Sequence, residues 1–406
     1  MMENTAENAM VSSNQREWMI ILLILLITAI GQLAVDIYLP SMPSMQAALG
    51  ASKSSVQITL SIYTLGFGLS QVIYGPLSDR YGRRNLLIFG MLLYSLATLA
   101  CVFARTIDQL IFFRLLTGIG GGSASVLTRA ILRDRFTGMR MAKIAGYMSI
   151  AWSLVPIVAP VLGSYIQKAF DWRANFVFLF VAGSVILFSI LKWLPDTNHD
   201  KRISSLHPKA VLSSYFRVLT HSTAMRFAII PMITFGCTIS YATASPFLLE
   251  TDLGYSPVAY GWLTLMVACM YLLANIINTR LLGYYGKMQI IHIGVFFNFL
   301  GCFSMVLLAL MGFFNLYTFL IPAGIMIFSG GFLFANAMSS AMIPFIKTAG
   351  TAAACIGCIQ MIGGSIASLI VAKMPFNTPL PLGLLLLVLS SLLIFTVIGL
   401  KEPSHE

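Results

Sequence analysis

Twelve apolar stretches of membrane length, separated by short polar breaks, leave this 406-residue chain few ways to fold. They run over 18–38, 56–74, 86–104, 110–132, 141–166, 174–194, 225–249, 260–282, 289–311, 316–343, 351–371 and 380–400. A helix crosses a bilayer with about 17–25 apolar residues. Inside hydrocarbon each run must satisfy its own backbone hydrogen bonds, and runs of this length do so as helices. The predicted fold class is therefore all-α membrane, with about twelve transmembrane helices. Only 10% of residues are charged, against roughly 25% in globular proteins. Such a chain cannot surround itself with water, and its partner is a lipid bilayer.

Six runs lie on each side of a polar, basic segment. The expected organisation is an N-terminal tail at 1–17, a six-helix bundle at 18–194, a linker at 195–224, a second six-helix bundle at 225–400 and a C-terminal tail at 401–406. The N-terminal tail reads as irregular, and the linker holds an amphipathic stretch around 211–219. The first run is too long for a signal-peptide core, has no small-residue cleavage site and contains Asp36, so it reads as a retained span. With both termini on the cytoplasmic side, 19 of the 25 Lys and Arg fall on cytoplasmic segments. Lys53, Arg105, Lys168, Arg173 and Lys373 fall outside, and Arg114 lies within a span. The reverse threading inverts this bias. The net charge of +11 marks membrane orientation, not nucleic acid, because the bases sit between apolar runs and form no patch. The six cysteines all lie in apolar runs, Cys355 and Cys358 included, and read as small packing residues.

Between runs 2 and 3 stands Gly75-Pro-Leu-Ser-Asp79-Arg80-Tyr-Gly82-Arg83-Arg84. One acid, three bases and two glycines in ten residues read as a tight cytoplasmic loop. Arg280-Leu-Leu-Gly283-Tyr-Tyr-Gly286-Lys287 holds the matching place between runs 8 and 9 without the acid. The two bundles thus look like a diverged, pseudo-symmetric repeat. That is the architecture of alternating-access transporters, with a site at the midplane between halves.

Within the spans proper, Asp36 and Arg114 stand out as full charges. Each costs about 2.5–3.5 kcal/mol at a helix centre on insertion scales, which makes an idle one improbable. At 1.5 Å per residue both lie roughly 6–10 Å below the outer boundary, so they can pair. One reading is a static salt bridge. The other is a protonation switch, since low dielectric favours a neutral acid and a nearby cation opposes this. Thr28, Gln32 and Asp36 form a polar stripe at i, i+4 and i+8. One clear acid in the spans predicts about one proton per cycle. Glu250 and Asp252 are the next candidates.

Candidate cavity residues are Gln32, Tyr38, Thr117, Trp152, Thr238, Tyr241, Tyr271, Asn275, Asn336 and Gln360. Together they describe a weakly polar, aromatic cavity suited to a lipophilic or zwitterionic solute. No metal motif, phosphate loop, nucleophile elbow or paired-carboxylate spacing occurs, so neither an enzyme nor a cofactor is expected.

The Gly75–Arg84 stretch resembles the G-x-L-x-D-R-x-G-R-[RK] signature between helices 2 and 3 of the major facilitator superfamily. Further motifs narrow the resemblance: Asp36-Ile-Tyr-Leu-Pro40, Arg114-Leu-Leu-Thr-Gly118, Arg129-Ala-Ile-Leu-Arg133-Asp134 and Asp171-Trp172-Arg173. Ala159-Pro160-Val-Leu-Gly163, with Pro156 before it, resembles the antiporter motif of span 5, whose usual G-P is here A-P. The set is similar to the bicyclomycin/chloramphenicol resistance (Bcr/CflA) branch of drug:proton antiporters, over about 18–400.

The resemblance implies a monomer that exports small organic molecules or drugs across the bacterial inner membrane, driven by protons. It implies that Asp36 and Arg114 couple protons. It also implies that Gly75, Asp79, Arg80, Gly82, Arg83 and Arg84 act as a conformational gate. Two alternatives stay open: export of an endogenous metabolite or siderophore on the same fold, and a polytopic receptor or sensor.

Overall fold

A computed structural model describes residues 2–195, 208–375 and 377–401. The helices are α1 (Met2–Asp36), α2 (Met42–Leu49), α3 (Lys53–Tyr81), α4 (Arg83–Val102), α5 (Ile107–Arg135), α6 (Gly138–Ala169) and α7 (Trp172–Trp193). They continue as α8 (Pro208–Thr220), α9 (Ser222–Pro246), α10 (Pro257–Leu281), α11 (Lys287–Leu310), α12 (Leu316–Met342), α13 (Ala349–Lys373) and α14 (Leu380–Val397). Among the described residues twelve helices are long and apolar enough to cross a membrane. The helices overrun several of the apolar runs by a turn or more, because polar residues that cap or flank a span remain helical. The first helix begins at Met2, so the polar N-terminal segment is helical rather than irregular. Much of the linker, residues 196–207, lies outside the described residues, as do 402–406 of the C-terminal tail.

Helices entering from the end opposite the Gly75–Arg84 stretch begin on short polar caps. Ser52, Thr106, Asp171, Ser256 and Asn315 each accept a hydrogen bond from a backbone N–H of the first turn. These caps satisfy amides that the helix itself leaves open. Glycines let α5 wedge between two neighbours. A Cβ on Gly118 would lie 2.2 Å from the Tyr63 carbonyl of α3, and one on Gly120 would lie 2.5 Å from the Tyr94 nitrogen of α4.

The sequence expectation of a loop at Gly75–Arg84 needs correction. α3 continues through Pro76 to Tyr81, α4 starts at Arg83, and Gly82 alone breaks the helix, at φ 92°. That left-handed φ suits glycine, so a single residue reverses the chain. The gate residues on either side of it are therefore held on rigid helices.

Two seams join the first six spans to the last six. Ser61 Oγ donates to Ser368 Oγ at 2.6 Å, and Ser365 Oγ donates to the Ser61 carbonyl at 2.8 Å, tying α3 to α13. Across the other seam Gly261 of α10 fits against Pro160 and Ser164 of α6, and Trp262 Nε1 donates to Tyr165 Oη at 3.3 Å.

The short helix α8 docks beside the first seam. Tyr215 is buried, and its hydroxyl donates to the Val72 carbonyl at 2.9 Å. Pro76 has no N–H to give the carbonyl four residues before it, so Tyr215 fills a gap that the proline opens. Tyr215→Phe should therefore destabilise the protein by about 1–3 kcal/mol, the cost of an unpaired buried carbonyl. Thermal unfolding of the purified protein measures this. In a Pro76→Ala background residue 76 supplies its own amide, and the loss should shrink; an equal loss in both backgrounds contradicts the account.

Candidate functional site

Asp36 ends the regular part of α1. The chain then turns through Ile37 and Tyr38 into a 3₁₀ turn at Leu39–Ser41, where Pro40 helps to stop the α-helix. Asp36 is 7% exposed, and its Oδ2 accepts a hydrogen bond from Gln32 Nε2 at 2.8 Å. The i, i+4 spacing makes this contact local, and both side chains face a cavity of about 140 Å³ between the two seams.

Each wall of that cavity is one helical face. α9 contributes Thr234, Thr238 and Tyr241; α10 contributes Tyr260, Thr264, Ala268 and Tyr271; α6 contributes Trp152, Ser153 and Pro156. Phe334 of α12 and Gln360 of α13 complete it. Spacings of three, four and seven residues place these side chains one above another. Thr234 and Thr238 donate their hydroxyls to the carbonyls four residues before them, at 2.8 and 3.0 Å. Tyr241 and Thr264 add buried hydroxyls to this wall, with Ser245 and Tyr260 as their hydroxyl neighbours. Asp36 is the single acid on an otherwise apolar, aromatic and hydroxyl-bearing surface.

Among the expected cavity residues, Gln32, Trp152, Thr238, Tyr241, Tyr271 and Gln360 line this space. Tyr38, Thr117, Asn275 and Asn336 do not. Tyr38 turns into the first bundle, against Phe176 and Thr59. Thr117 faces Cys101 of α4 and donates to the Phe113 carbonyl at 2.8 Å. Asn275 donates to the Tyr271 carbonyl, and Asn336 joins α12 to α10 through Asn278 Oδ1 at 2.7 Å. In each case a nearer polar group captures the side chain. Ser153, Phe235, Thr264 and Phe334 were missed. Thr264 was legible as the middle of a stripe, four residues after Tyr260 and seven before Tyr271. Glu250 and Asp252 lie on a π-turn that extends α9 and do not line the cavity.

Arg114 is fully buried but makes no ion pair with Asp36, so the pairing drawn from matched depth is not made here. Its Nη2 donates to the Ala34 carbonyl at 3.0 Å, and its guanidinium packs over the rings of Tyr63 and Tyr38. Depth fixes height in the membrane but not the direction in which a side chain points about its helix. Asp36 turns to the cavity, whereas Arg114 turns into the first bundle.

At the basic end, Arg83 is buried between α3, α4 and α5. It binds Asp79 at 2.6 Å, Asp134 at 3.1 Å, and the Ser78 hydroxyl. Arg84 Nη2 donates to the Leu191 carbonyl at 2.7 Å, and Arg80 lies over the Tyr81 ring. Gly75 sits inside α3 beside Tyr215. Pro156, Pro160 and Gly163 all fall on α6: Pro156 lines the cavity, while Pro160 and Gly163 pack at the seam and against Ile37.

A profile of the Major Facilitator Superfamily matches residues 24–368. The chain belongs to the Major Facilitator Superfamily. This facilitator is 29% identical over 398 residues to the Multidrug resistance protein D of Escherichia coli K12, covering 97% of this chain and 98% of the relative. It is 25% identical to a Bicyclomycin resistance protein homolog of Haemophilus influenzae, over 86% of this chain and 87% of that one. It is 26% identical to a Chloramphenicol resistance protein of Pseudomonas aeruginosa, over 93% and 88%. These relatives bear out the bicyclomycin/chloramphenicol resistance branch that the motifs resembled. The fold matches the crystal structure of a D-xylose-proton symporter with a TM-score of 0.74 at 14% identity, over 96% of this chain and 98% of that one. The facilitator is a multi-pass transporter of the bacterial inner membrane and not an enzyme. Membership in a transporter family also sets aside the receptor or sensor that composition allowed.

Proposed function

We propose that this facilitator exports small, largely apolar organic molecules in exchange for protons, by exposing its central cavity alternately to the two sides of the membrane. The observation that carries the reading is the single carboxylate among the described residues of the lining, Asp36, on the wall of an aromatic cavity between the two seams. Aromatic faces with few hydroxyls among them suit lipophilic solutes, and the relatives' names, multidrug, bicyclomycin and chloramphenicol resistance, favour drugs as cargo. About 140 Å³ is small beside the roughly 300–1,000 Å³ of sites that hold drug-sized ligands. Loading a drug-sized solute therefore requires the walls of the cavity to move apart, which is a conformational step.

Proton exchange at Asp36 is sufficient to drive export. One charge moving through 100 mV releases about 2.3 kcal/mol, and one pH unit adds about 1.4. Their total, about 3.7 kcal/mol, supports a gradient of a few hundredfold at about 1.4 kcal/mol per tenfold. Transport of a neutral solute should be electrogenic with about one proton per cycle. Reversal potentials in proteoliposomes with imposed voltage and ΔpH test this: a ratio of two overturns the single-site reading, and no coupling overturns the proton-driven one.

The Asp79–Arg83–Asp134 cluster lies on α3, α4 and α5, away from the cavity lining. Its role is to bias the two conformations without touching solute. Asp79 is half exposed, so loss of its pair is worth at most about 1 kcal/mol, roughly fivefold. Asp79→Asn should slow turnover of every substrate by a similar factor. Competitive transport of two unlike drugs checks this, and a change in their ratio contradicts it.

A further inference from the structure

The buried guanidinium of Arg114 sits in an aromatic cage. Its centre lies 4.3 Å from the Tyr63 ring centroid, 4.4 Å from that of Tyr38 and 5.9 Å from that of Phe176. The rings come from α3, from the turn after α1 and from α7, and each is braced. Tyr63 Oη donates to the Gly31 carbonyl at 2.6 Å, Tyr38 Oη and Thr59 Oγ1 share a hydrogen bond of 3.3 Å, and Phe176 packs edge-on against Trp172. Among the described residues the arginine makes no hydrogen bond beyond the Ala34 carbonyl, and its Nε and Nη1 are buried without a partner there. A guanidinium in that position holds its charge against π faces, with part of its donor fork unused.

Asp36, two residues beyond Ala34, is held by Gln32 instead. Two potential partners on adjoining helices are thus kept apart, each by a different neighbour. We infer that Tyr38, Tyr63 and Phe176 are positioning residues for the proton site: their rings hold Arg114 away from Asp36 and so set how readily Asp36 takes up a proton. When the cage loosens, the free N–H groups of Arg114 can turn to the carboxylate and favour its ionised form. The inference rests on the reading of Asp36 as the proton site and adds the groups that tune it.

The other titratable groups near this pair are few. Tyr94 and Cys101 of α4 lie within electrostatic reach of Arg114, alongside Tyr63 of α3 and Tyr38. α7 offers Trp172, Asn175 and Phe176, none of which titrates. Across the cavity stand the phenols Tyr241 and Tyr260. Phenols and thiols are neutral near pH 7, so Arg114 and Asp36 are the charges that answer each other.

Infrared titration of the purified protein reads this without any solute, through the carboxyl band that Asp36→Asn removes. In the wild-type protein that band marks the midpoint of Asp36. Tyr63→Leu should move the midpoint to lower pH by about one unit, a tenfold fall in proton affinity. Tyr63→Phe keeps the ring and should leave the midpoint where it is. Phe176→Leu removes the most distant ring and should give a smaller shift in the same direction, which keeps the test available if Tyr63→Leu does not fold. An unmoved midpoint in folded Tyr63→Leu or Phe176→Leu overturns the cage. Equal shifts in Tyr63→Leu and Tyr63→Phe also overturn it, by assigning the effect to the hydroxyl. If Asp36→Asn removes no titrating band, the reading of Asp36 itself fails, and the cage falls with it.

Discussion

Asp36→Asn is expected to abolish uphill export while leaving the protein folded and able to bind solute. Asparagine has the shape of aspartate, and its carbonyl oxygen can still accept from Gln32 Nε2, which holds residue 36 at 2.8 Å in the native protein. What disappears is the ability to exchange a proton at the cavity wall. Without that exchange the drive of about 3.7 kcal/mol has no point of entry. The steady-state gradient should then fall from a few hundredfold to near unity. Drug accumulation in proteoliposomes under an imposed pH gradient measures the loss, and binding by the same preparation shows that the cavity survives. Uphill export by the Asn variant at the wild-type level removes Asp36 from the mechanism.

Gly163→Ala should be nearly as damaging, for a reason that lies in packing. A Cβ at position 163 would stand 1.7 Å from the carbonyl oxygen of Ile37, a backbone atom that cannot swing away. The contact joins α6 to the bend that carries Asp36. Asn175 bridges the same region, donating to Ser41 Oγ at 2.8 Å and to the Gly163 carbonyl at 3.3 Å, and Ser41 donates to Gln167 Oε1 at 2.7 Å. A methyl group here must push α6 off that bend, and overpacking of this kind costs about 1–3 kcal/mol. The expected result is lower thermal stability together with at least a tenfold loss of transport, because the displaced bend misplaces Asp36. Gly146 lies on the same helix with nothing within 4 Å of its would-be Cβ, so Gly146→Ala serves as the matched control and should be nearly silent. Equal behaviour of the two variants contradicts this account.

Much of this protein was legible in its sequence because a bilayer imposes local rules. Each apolar run has to close its own backbone hydrogen bonds, so the number, order and approximate limits of the twelve spans follow from hydropathy alone. Asp36 and Arg114 stood out by the same logic, as charges in segments that exclude charge. The motifs around Asp79, Arg114 and Gly163 pointed to the family because their residue types and spacing are themselves linear information.

Only the tertiary structure decided which of these residues meet. Rotation about a helix axis is set by packing against neighbours, and hydropathy does not encode it for spans that are apolar all round. That is why Asp36 and Arg114, at matching depth, find Gln32 and an aromatic cage and not each other. Tyr38, Thr117 and Asn336 left the cavity because a partner distant in sequence or on a facing helix claims each of them or the space it would fill, and Thr264 entered it because α10 turns that face inward. The charged stretch after α3 looked like a loop because arginine and glycine suggest one. It is helical up to Gly82 because Arg83 finds Asp79 close along the chain and Asp134 far from it, and only folding brings the second into reach.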